Sequence, residues 1–386
     1  MFPGEMGGDG RGRHGRSRGG RNNEECDMSV LQCGSGEVPG EHYLPSSPKT
    51  VTWGRLPSAA TDPVLEVAAG ATVTIDTVSH EGLMEDQGRD PVAFWAEHAV
   101  PAESVLLDAI DIARDVSHYR GLDGPHLVTG PVRVDGARPG DILKVEFLEL
   151  RPRVPYGLVS SRHGRGALPG ELPVGPDGAL ADRYSQFCAV DVAAGRAVMR
   201  YGEDRQIGFP IAPFMGLTGI TPAGDKALNT IPPGAFGGNL DVRDLVAGAV
   251  LYLPVQIPGA GFYTGDPHLA QGHGEVSLTA LEASLRTTVR LTPLPAAAAL
   301  PFGAGSGGPF GETPEHWIAI GLHNDLDEAM RLAVREALRV LRQVRDVPVM
   351  VAYSYLSAAA DFVVSQVVDD VKGVHCLIRK RDFPAW

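Results

Sequence analysis

Residues 261–275 read GFYTGDPHLAQGHGE and lie between two apolar runs, residues 249–255 and 276–281. We predict that both runs are buried strands and that the polar stretch between them is a loop. Asp266 and His268 stand two positions apart, so on an extended backbone their side chains project from the same face. A carboxylate and an imidazole on one face suit a metal site or an acid–base site. This stretch is our first candidate for a functional site.

Gln271, His273 and Glu275 add three more polar groups to this stretch, and the glycines between them permit the turns that a site needs. The alternative interpretation is a polar turn whose Asp and His side chains satisfy one another. Because no HExxH or CxxC motif occurs in the chain, the common zincin and zinc-ribbon interpretations are excluded.

The composition is that of a soluble globular protein, with 43% hydrophobic and 21% charged residues among 386. This length can bury a large core in one elaborate domain or in two domains. The net charge is −13, and five arginines fall in the first 21 positions, so the rest of the chain is more acidic still. An acidic body does not suit nucleic acid or an anionic membrane surface. We therefore expect neither partner.

Cysteine usage and the lack of long apolar runs predict a cytoplasmic protein. The four cysteines, Cys26, Cys33, Cys188 and Cys376, form no CxxC pair, which fits free thiols in a reducing compartment. Cys188 and Cys376 stand in apolar surroundings, where a thiol is usually inert as a nucleophile. No apolar run reaches the roughly 18 residues of a membrane helix. No apolar segment follows the N-terminal arginines, so a secretory signal is not expected.

Turn residues divide most of the chain into short β-type segments. Residues 71–77 and 143–149 alternate apolar and polar residues, and each follows a turn signal. With 48 glycines and 31 prolines, frequent turns between short strands are expected. The predicted fold class is mainly β with α+β elements and a β-sandwich or barrel-like core. Residues 1–40 are Gly/Arg-rich and predict a disordered arm, which leaves residues 41–386 as the folded region, either one unit or two intertwined β-rich subdomains.

The helical signal lies late in the chain. Residues 324–344 place apolar residues at three- and four-residue steps, with acidic residues at the start, where the helix dipole favours them. We predict a late amphipathic helix there and a shorter helix over residues 350–359. Residues 362–368 and 374–379 predict two strands joined by a turn. The alanines and glycines of residues 296–309 predict a mobile connection.

A strand that runs into a polar loop forms a second candidate cluster. Asp76, His80 and Glu81 are plausible ligands or proton carriers there, because a carboxylate beside a histidine orients the ring and raises its basicity. The alternative, in which Asp76 and Ser79 only shape the turn, has equal weight. The charged residues 85–90 that follow are predicted to be a solvated loop.

Two further segments contribute candidates. Phe214 and Met215 could line an apolar pocket beside backbone amides, although core packing is the stronger prediction for both. Asn239 and Asp241 follow a pair of glycines in a loop that lacks the GxxxxGK[ST] pattern of a phosphate-binding loop. Their two-residue step could bring both side chains to the same site as the first candidate stretch.

Short motifs that occur in a fixed order along the chain resemble those of the acetamidase/formamidase family. They are residues 130–141 (GPVRVDGARPGD), 216–222 (GLTGITP), 237–241 (GGNLD), 253–254 (LP), 259–260 (GA), 265–268 (GDPH), 271–275 (QGHGE) and 325–329 (DLDEA), with Ser357, Asp361 and Gln366. The resemblance covers roughly residues 41–383. It implies a β-rich, cytoplasmic catalytic region, in a homodimer or higher homo-oligomer, that hydrolyses formamide or acetamide to ammonia and the carboxylic acid.

The resemblance also implies a metal site. The aspartate and histidine of the GDxH segment are the natural ligands, and they are Asp266 and His268 in this chain. The implied cofactor is a divalent metal, zinc in the first place, with calcium as a second structural ion. Many relatives have Asp at the position of His273 and a histidine at the position of Phe236. The ligand set is therefore expected to differ here, and His80 is our preferred replacement.

The resulting hypothesis divides the catalytic roles among three residues, Glu275, Asn239 and Asp241. Glu275 is the general base that passes the water proton to the leaving nitrogen. Asn239 hydrogen-bonds the small amide substrate. Asp241 is a candidate for a fourth metal ligand beside Asp266, His268 and His80. Phe214 and Met215 form the wall that keeps the pocket small.

Two alternatives stay open. In one, the amidase uses a protein nucleophile, Thr218 or Ser79, and no metal. In the other, the chain is a non-catalytic small-molecule-binding protein of the jelly-roll type. A trapped acyl-enzyme would support the first alternative, and ligand binding without any release of ammonia would support the second.

Overall fold

The computed structural model describes residues 30–295 and 307–384. Within these ranges a series of short strands is accompanied by one early and one late pair of α-helices. In chain order the elements are β1 (His42–Leu44), β2 (Val51–Trp53), β3 (Leu65–Val67), β4 (Thr72–Asp76), α1 (Pro91–Ala96), α2 (Leu107–Asp115), β5 (Leu127–Val134), β6 (Ile142–Pro152), β7 (Tyr156–Arg162), β8 (Arg183–Asp191), β9 (Arg196–Arg200), β10 (Gln206–Pro210), β11 (Phe214–Ile220), β12 (Gly237–Asn239), β13 (Val250–Pro254), β14 (Phe262–Ala270), β15 (Leu281–Glu282), β16 (Leu285–Leu294), β17 (Phe310–Glu312), β18 (His316–His323), α3 (Leu326–Arg345), α4 (Val349–Ala359), β19 (Asp361–Gln366) and β20 (Lys372–Arg379).

The strands form two sheets. The first sheet has the order β1-β4-β16-β6-β13-β17-β18-β20-β19. The second has the order β10-β9-β8-β7-β15-β14-β11-β12, with β5 beside β14 and with β2 and β3 beside β5. Strands from distant parts of the sequence are neighbours, as β16 shows by pairing with both β4 and β6. The first sheet is therefore complete only when early and late segments of the chain have come together.

One continuous hydrophobic core contains side chains from both sheets, so the sheets pack as two layers. In β6, the side chains of Leu143, Val145 and Phe147 are buried. Lys144 and Glu146, which alternate with them, are partly exposed because successive side chains of a strand point to opposite faces. The predicted mainly β class with a sandwich-like core is confirmed. Whether the folded region is one unit or two subdomains stays a prediction.

The predicted amphipathic helix is α3, which packs against β18 and β20 of the first sheet. Asp325 caps the helix by accepting a hydrogen bond from the amide of Glu328, and Asp346 ends it in a left-handed conformation. The helix approaches β18 so closely that a Cβ on Gly321 would lie 2.1 Å from the carbonyl oxygen of Ala329. This helix, the shorter helix α4 and the β19–β20 pair that follows are all confirmed.

The early helices α1 and α2 have no counterpart in the sequence prediction, because both are too short to show a long apolar stripe. α1 does begin with a local signal, since Asp90 caps it and Pro91 starts it. The prediction of a solvated loop over residues 85–90 is wrong in part. Gln87 is buried, its amide group donates a hydrogen bond to Glu81, and its oxygen accepts one from a backbone amide.

Residues 30–40, which the sequence assigns to the arm, lie against the body of the protein. Gln32, for example, donates a side-chain hydrogen bond to the carbonyl of Val105. The rest of the predicted arm, residues 1–29, and most of the predicted mobile connection, residues 296–306, lie outside the described residues. Among the described residues, no helix is both long enough and apolar enough to cross a membrane.

The variant Gly321→Ala is predicted to destabilise the protein. The added Cβ would lie 2.1 Å from the carbonyl oxygen of Ala329 and 2.4 Å from the amide nitrogen of Ala333, and neither backbone atom can rotate away. Overpacking of this kind costs about 1–3 kcal/mol, so the urea midpoint is expected to fall while the slope is unchanged. Gly170→Ala is the control, because nothing lies within 4 Å of its added Cβ. Equal midpoints for the two variants would contradict the close helix–sheet packing.

Candidate functional site

The strand β14 carries the first candidate residues through the interior of the second sheet. It pairs with β11, β15 and β5, and both Asp266 and His268 belong to it. Gly265 allows the close approach of β5, because a Cβ there would lie 2.1 Å from the carbonyl oxygen of Leu127. The prediction that residues 261–275 form a loop is therefore wrong for the first part of the stretch. The polar residues of β14 break the apolar pattern by which a buried strand is recognised.

Eight buried acidic and histidine side chains gather around β14, and we call them the central cluster. They are His80, His126, Asp241, Asp266, His268, Glu275, Glu282 and Asp369. Each of these residues is less than a tenth exposed. Buried ionisable groups are rare unless they are paired or bind a metal, so the cluster is the main candidate for the functional site.

Asp266 lies at the centre of this cluster. Its Oδ1 lies 3.6 Å from Nδ1 of His80, and its Oδ2 lies 3.0 Å from Nε2 of His268 and 3.8 Å from Nε2 of His126. The rings of His80 and His126 meet edge to face, with centroids 5.5 Å apart. The structure thus brings together the three residues that we predicted as metal ligands, and it places His126 beside them.

His268 connects Asp266 to two further carboxylates. Its Nε2 also lies 3.0 Å from Oε1 of Glu282, and its Nδ1 lies 3.8 Å from Oδ1 of Asp241. Three overlapping triads in the cluster keep one donor atom from each member within 4.8 Å of the others: His80, His126 and Asp266; Asp266, His268 and Glu282; and Asp241, His268 and Glu275. His80 and His268 therefore approach different oxygens of Asp266 and belong to different triads.

Three acidic residues of the cluster have a left-handed backbone. The angle φ is 48° at Asp241, 52° at Asp266 and 47° at Glu275. Residues other than glycine rarely adopt this conformation, and such strain is often found at functional sites, where the surrounding structure compensates for it. Gly216 of β11 leaves space for the side chains of Asp241, Asp266 and His268. A Cβ on it would lie 2.5 Å from Oδ1 of Asp241 and from Cε1 of His268, and 2.7 Å from Oδ2 of Asp266.

Burial raises the pKa of some carboxyl groups in the cluster. The charge of a neighbouring histidine lowers the pKa of another. Burial, helped by the Asp241 carboxylate, raises the pKa of Glu275 well above its ordinary value, and burial raises the pKa of Glu282 to about 7. Burial opposes ionisation of Asp266 as well, but the charge of His268 holds its pKa well below the usual range. Asp266 in turn raises the pKa of His268, against the effect of burial. Asp266 and His268 therefore stabilise each other's charged forms, while burial makes the carboxylate of Glu275 a stronger base than an exposed glutamate.

The donor atoms of the cluster fit a divalent metal ion. In the described part of the chain, several buried atoms have no hydrogen-bond partner: Nδ1 of His80, Oδ1 of Asp241, Oδ1 of Asp266, Nδ1 of His268, Oε2 of Glu282 and Oδ2 of Asp369. An unsatisfied buried polar group costs about 1–3 kcal/mol, so this many together indicate that something else completes the site. Imidazole nitrogens and carboxylate oxygens are the ligands that zinc takes in proteins.

A cavity of about 460 Å³ opens onto the central cluster. The predicted catalytic residues Glu275, Asn239 and Asp241 all line it. The Oδ1 atom of Asn239 is buried and has no hydrogen-bond partner within the described ranges. Apolar residues, among them Leu122 and Ile231, form part of the remaining wall. Most of the lining residues are polar or charged, so the cavity suits a small polar molecule.

The prediction that Phe214 and Met215 form the pocket wall is wrong. Both side chains are fully buried, and neither belongs to the lining of the cavity. Phe214 packs its ring against His268, with ring centroids 5.0 Å apart. It therefore supports a cluster residue from behind, in agreement with the alternative prediction of core packing.

Asp76 belongs to a buried salt-bridge network and not to the central cluster. Arg286 donates hydrogen bonds to its two oxygens at 2.6 and 2.8 Å, and the hydroxyl of Tyr43 donates a third at 2.6 Å. The Nε atom of Arg153 lies 3.8 Å from the same carboxylate. Two buried guanidinium groups therefore balance this charge, and the geometry does not support Asp76 as a metal ligand or proton carrier.

Glu81 lies behind His80 and not in the cavity floor. Its Oε1 lies 3.5 Å from Nε2 of His80 and 3.2 Å from Arg162, and its Oε2 accepts a hydrogen bond from Ser160 at 2.8 Å. Although burial opposes ionisation, the charge of Arg162 lowers the pKa of Glu81 well below its ordinary value. Since His80 lies between Glu81 and Asp266, Glu81 orients the ring that was predicted to bind the metal.

The alternative nucleophiles lie away from the cavity. The hydroxyl of Thr218 is buried and pairs with that of Thr264 at 3.0 Å, and the hydroxyl of Ser79 accepts a hydrogen bond from a backbone amide. Burial raises the pKa of the Cys188 thiol to about 12 and also raises that of Cys376. None of these four groups lines the cavity.

Sequence reasoning missed three members of the cluster, His126, Glu282 and Asp369. Each is buried among residues that are mostly apolar: His126 precedes Leu-Val, Glu282 lies between Leu and Ala, and Asp369 follows two valines. An isolated ionisable residue in an apolar run is a signal that could have found them, because burying an unpaired charge is costly. The signal does not say which distant residues complete the site.

The sequence matches the model of the acetamidase/formamidase family over residues 168–293. Over 219 residues the chain is 27% identical to the acetamidase of Mycolicibacterium smegmatis, and this alignment covers 44% of the chain and 52% of the relative. Over 211 residues it is 26% identical to the formamidase of Methylophilus methylotrophus, covering 44% of the chain and 51% of the relative. The chain thus spans about half the length of the curated relatives it matches.

Two solved structures share the fold over nearly their whole length. An acetamidase from Bacillus halodurans has a TM-score of 0.67 and 24% identity, and the match covers 88% of this chain and 98% of that one. An acetamidase from Yersinia enterocolitica has a TM-score of 0.68 and 23% identity, and the match covers 93% of this chain and 97% of that one. At these identities the likeness establishes the fold.

The fold and the site together define a β-sandwich protein that buries a carboxylate–imidazole cluster beneath a cavity. The region that matches the family model contains β14 and the loop that carries Glu275. The chain is similar to the acetamidase/formamidase family, whose model it matches over residues 168–293. The resemblance seen in the sequence is therefore confirmed.

The variant Asp76→Asn is predicted to destabilise the protein without loss of metal binding. It leaves the buried charge of Arg286 uncompensated, and breaking a buried ion pair in this way costs about 3–5 kcal/mol. Chemical denaturation measures this effect, and the metal content of the folded protein is expected to equal that of the parent.

Asp111→Asn is the matched control for this prediction. Asp111 pairs with Arg114 at 2.7 Å, but both side chains are about half exposed. An exposed pair contributes about 1 kcal/mol or less. If both variants unfold at the same denaturant concentration, the Asp76 network does not have the structural role assigned to it.

Proposed function

We propose that this protein hydrolyses short aliphatic amides, such as formamide and acetamide, to ammonia and the carboxylic acid. The observation that carries the proposal is the buried carboxylate–imidazole cluster, whose unpaired donor atoms meet a cavity. The similarity to the acetamidase/formamidase family supports amide chemistry, since the relatives are named acetamidase and formamidase. The matched region spans only about half the length of those relatives. Their activity is therefore proposed for this chain on the strength of its own site.

Asp266, His268 and His80 are the residues proposed to hold a divalent cation, with Asp241 as a fourth ligand. Their donor atoms are buried and lie close to Asp266 or His268. The two imidazoles favour zinc, while calcium, proposed as a second structural ion, takes only oxygen ligands. When bound, the cation supplies Lewis-acid chemistry, which polarises an amide carbonyl and lowers the pKa of a water molecule from about 15.7 toward 7.

Glu275 is proposed to move the proton. It lines the cavity, and one of its oxygens lies within 4.8 Å of the donor atoms of Asp241 and His268. Burial raises its pKa, so its carboxylate holds a proton more firmly than an exposed glutamate does. A base of this kind takes the proton from the attacking water and gives it to the amide nitrogen, which then leaves as ammonia.

Asn239 is proposed to orient the substrate. It stands at the end of β12, where the pairing with Leu217 of β11 holds its backbone in place. Its unpaired side-chain oxygen can accept a hydrogen bond from the substrate NH₂ group. A buried polar group that only an N–H can satisfy discriminates strongly against a substrate without one, so esters should be poor substrates.

The remaining features of the proposal concern size, assembly and location. At about 460 Å³ the cavity lies within the range of small-molecule sites, about 300–1,000 Å³, so it also admits amides longer than acetamide. The family resemblance supports a cytoplasmic homodimer or higher homo-oligomer. The acidic composition supports the expectation that neither nucleic acid nor a membrane surface is a partner.

Removal of the metal with a chelator is predicted to abolish the release of ammonia from formamide and acetamide, and added zinc is predicted to restore it. Metal content per chain and ammonia release are measured on the same samples. The melting temperature should also fall on chelation, because an ion that binds only the native state stabilises it. Full activity in a metal-free sample would rule out this mechanism and favour a protein nucleophile, which a trapped acyl-enzyme mass would then locate.

The variant Glu275→Gln is predicted to lower kcat by about 10²–10⁴-fold, the usual contribution of a general acid–base group. The amide keeps the shape of the side chain but cannot accept the proton, so zinc content should equal that of the parent. Asp370→Asn is the matched control, because Asp370 also lines the cavity but is largely exposed. Loss of zinc together with activity in Glu275→Gln would identify Glu275 as a ligand and not the base.

A further inference from the structure

A second group of ligand-type side chains lies outside the central cluster, and we call it the outer cluster. It consists of Asp244, from the connection between β12 and β13, His273, from the loop after β14, and His375 of β20. One donor atom of each lies within 4.8 Å of the other two. The function proposed above uses none of these three residues.

His375 is the most constrained member of the outer cluster. It is fully buried, its Nδ1 lies 2.7 Å from the hydroxyl of Ser365, and its Nε2 lies 3.0 Å from Oδ2 of Asp244. A hydrogen bond to one ring nitrogen of a histidine fixes the ring orientation and presents the other nitrogen to a metal. In His375 the hydroxyl of Ser365 holds Nδ1, so Nε2, which now contacts the carboxylate of Asp244, is the nitrogen that would bind a metal together with that carboxylate.

His273 makes the outer cluster accessible from solvent. Its ring is exposed, and its centroid lies 5.5 Å from that of His375. It lines a second cavity, of about 410 Å³, which also contains Gln271 and Arg243. An ion can therefore reach the cluster without passing through the core. The positive charge of Arg243 opposes cation binding at this position, and the carboxylate of Asp244 offsets it.

We propose that the outer cluster is a second metal site, in which Asp244, His273 and His375 bind a divalent cation of the zinc class. Two imidazole nitrogens and one carboxylate oxygen are typical zinc ligands, and a solvent molecule completes the tetrahedron. Calcium is disfavoured, because it takes oxygen ligands. The proposal does not depend on amide hydrolysis at the central cluster.

A hydrolytic triad is the other arrangement that Ser365, His375 and Asp244 suggest by their contacts. Ser365 is only 1% exposed, however, and it lines neither of the two cavities described here. A substrate carbonyl cannot reach a hydroxyl in that position, so a nucleophilic role is excluded by access. The hydroxyl of Ser365 is instead placed to orient the ring of His375.

A metal at the outer cluster would restrain the loop that carries Glu275. Gln271 donates hydrogen bonds to the carbonyls of Asp241 and Ser365 at 2.9 and 3.2 Å, and the amide of Gly274 donates to the carbonyl of Ser365 at 3.1 Å. A bound ion would join His273 of this loop to His375 of β20. This would add another link between the loop and the strands β19 and β20. His273 is then a positioning residue for Glu275, a consequence that rests on the proposed role of Glu275.

Zinc binding by the full-length protein and its His273→Ala variant tests the outer site. Metal-stripped proteins are titrated with Zn²⁺ in competition with a chromophoric chelator, and the bound metal is counted after gel filtration. His163→Ala is the matched control, because His163 is also an exposed histidine and belongs to neither cluster. The parent and the control are expected to bind one more equivalent than His273→Ala. The same stoichiometry and affinity in His273→Ala would overturn the proposal.

Two further variants separate the outer site from the central one. Ser365→Ala removes the hydrogen bond that orients His375, and it is expected to weaken the outer site by about 10–100-fold. Asp266→Asn is expected to lose zinc from the central cluster and to keep the equivalent that depends on His273. If Asp266→Asn binds no zinc at all, the outer site does not exist as an independent site. If it binds as much as the parent, the central proposal fails while the outer one stands.

Discussion

Repulsion among buried carboxylates is the constraint on which the rest of this structure depends. Five of them share the central cluster with only three imidazoles, in a medium where charges interact far more strongly than in water. The chain can hold them together only if some carboxylates are protonated or if cations bind among them. The two-layer sandwich supplies the rigidity that keeps them close, and Gly216 supplies the space. A looser scaffold would let the carboxylates separate and become hydrated.

The same chain balances another buried carboxylate, Asp76, in a different way. Asp76 is nearly fully buried, as Asp266 is, but it pairs with Arg286 and lies close to Arg153. A guanidinium donates in a fixed fork and never loses its proton, so such a pair is permanent and inert. Among the described residues, the cationic partners of Asp266 are imidazoles, which can exchange a proton for a metal ion. The type of cationic partner therefore distinguishes a structural carboxylate from one that is available for chemistry.

Local features of the sequence predicted the helices α3 and α4 and the β19–β20 pair, because caps and periodicity are properties of neighbouring residues. The strand β14 was predicted as a loop, since the polar residues that matter for function interrupt its apolar pattern. Motif order and residue type identified Asp266 and His268 as site residues, and the structure places them side by side. His126 and Glu282 could not be predicted, because each is a single polar residue whose partners are distant in sequence. The long-range pairing of strands decides which such residues meet.

The sequence separation within the central cluster has a consequence for biosynthesis. His80 leaves the ribosome long before Asp369, with both sheets still lacking strands at that stage. Contacts between such distant segments form late and slowly, because closing a long loop has an entropic cost. The cluster therefore does not exist in the nascent chain, and the ion proposed for it can bind only after the last strands have formed. If the site takes the proposed ion, removing that ion during synthesis leaves the early folding steps unaffected, because the ligands are not yet together.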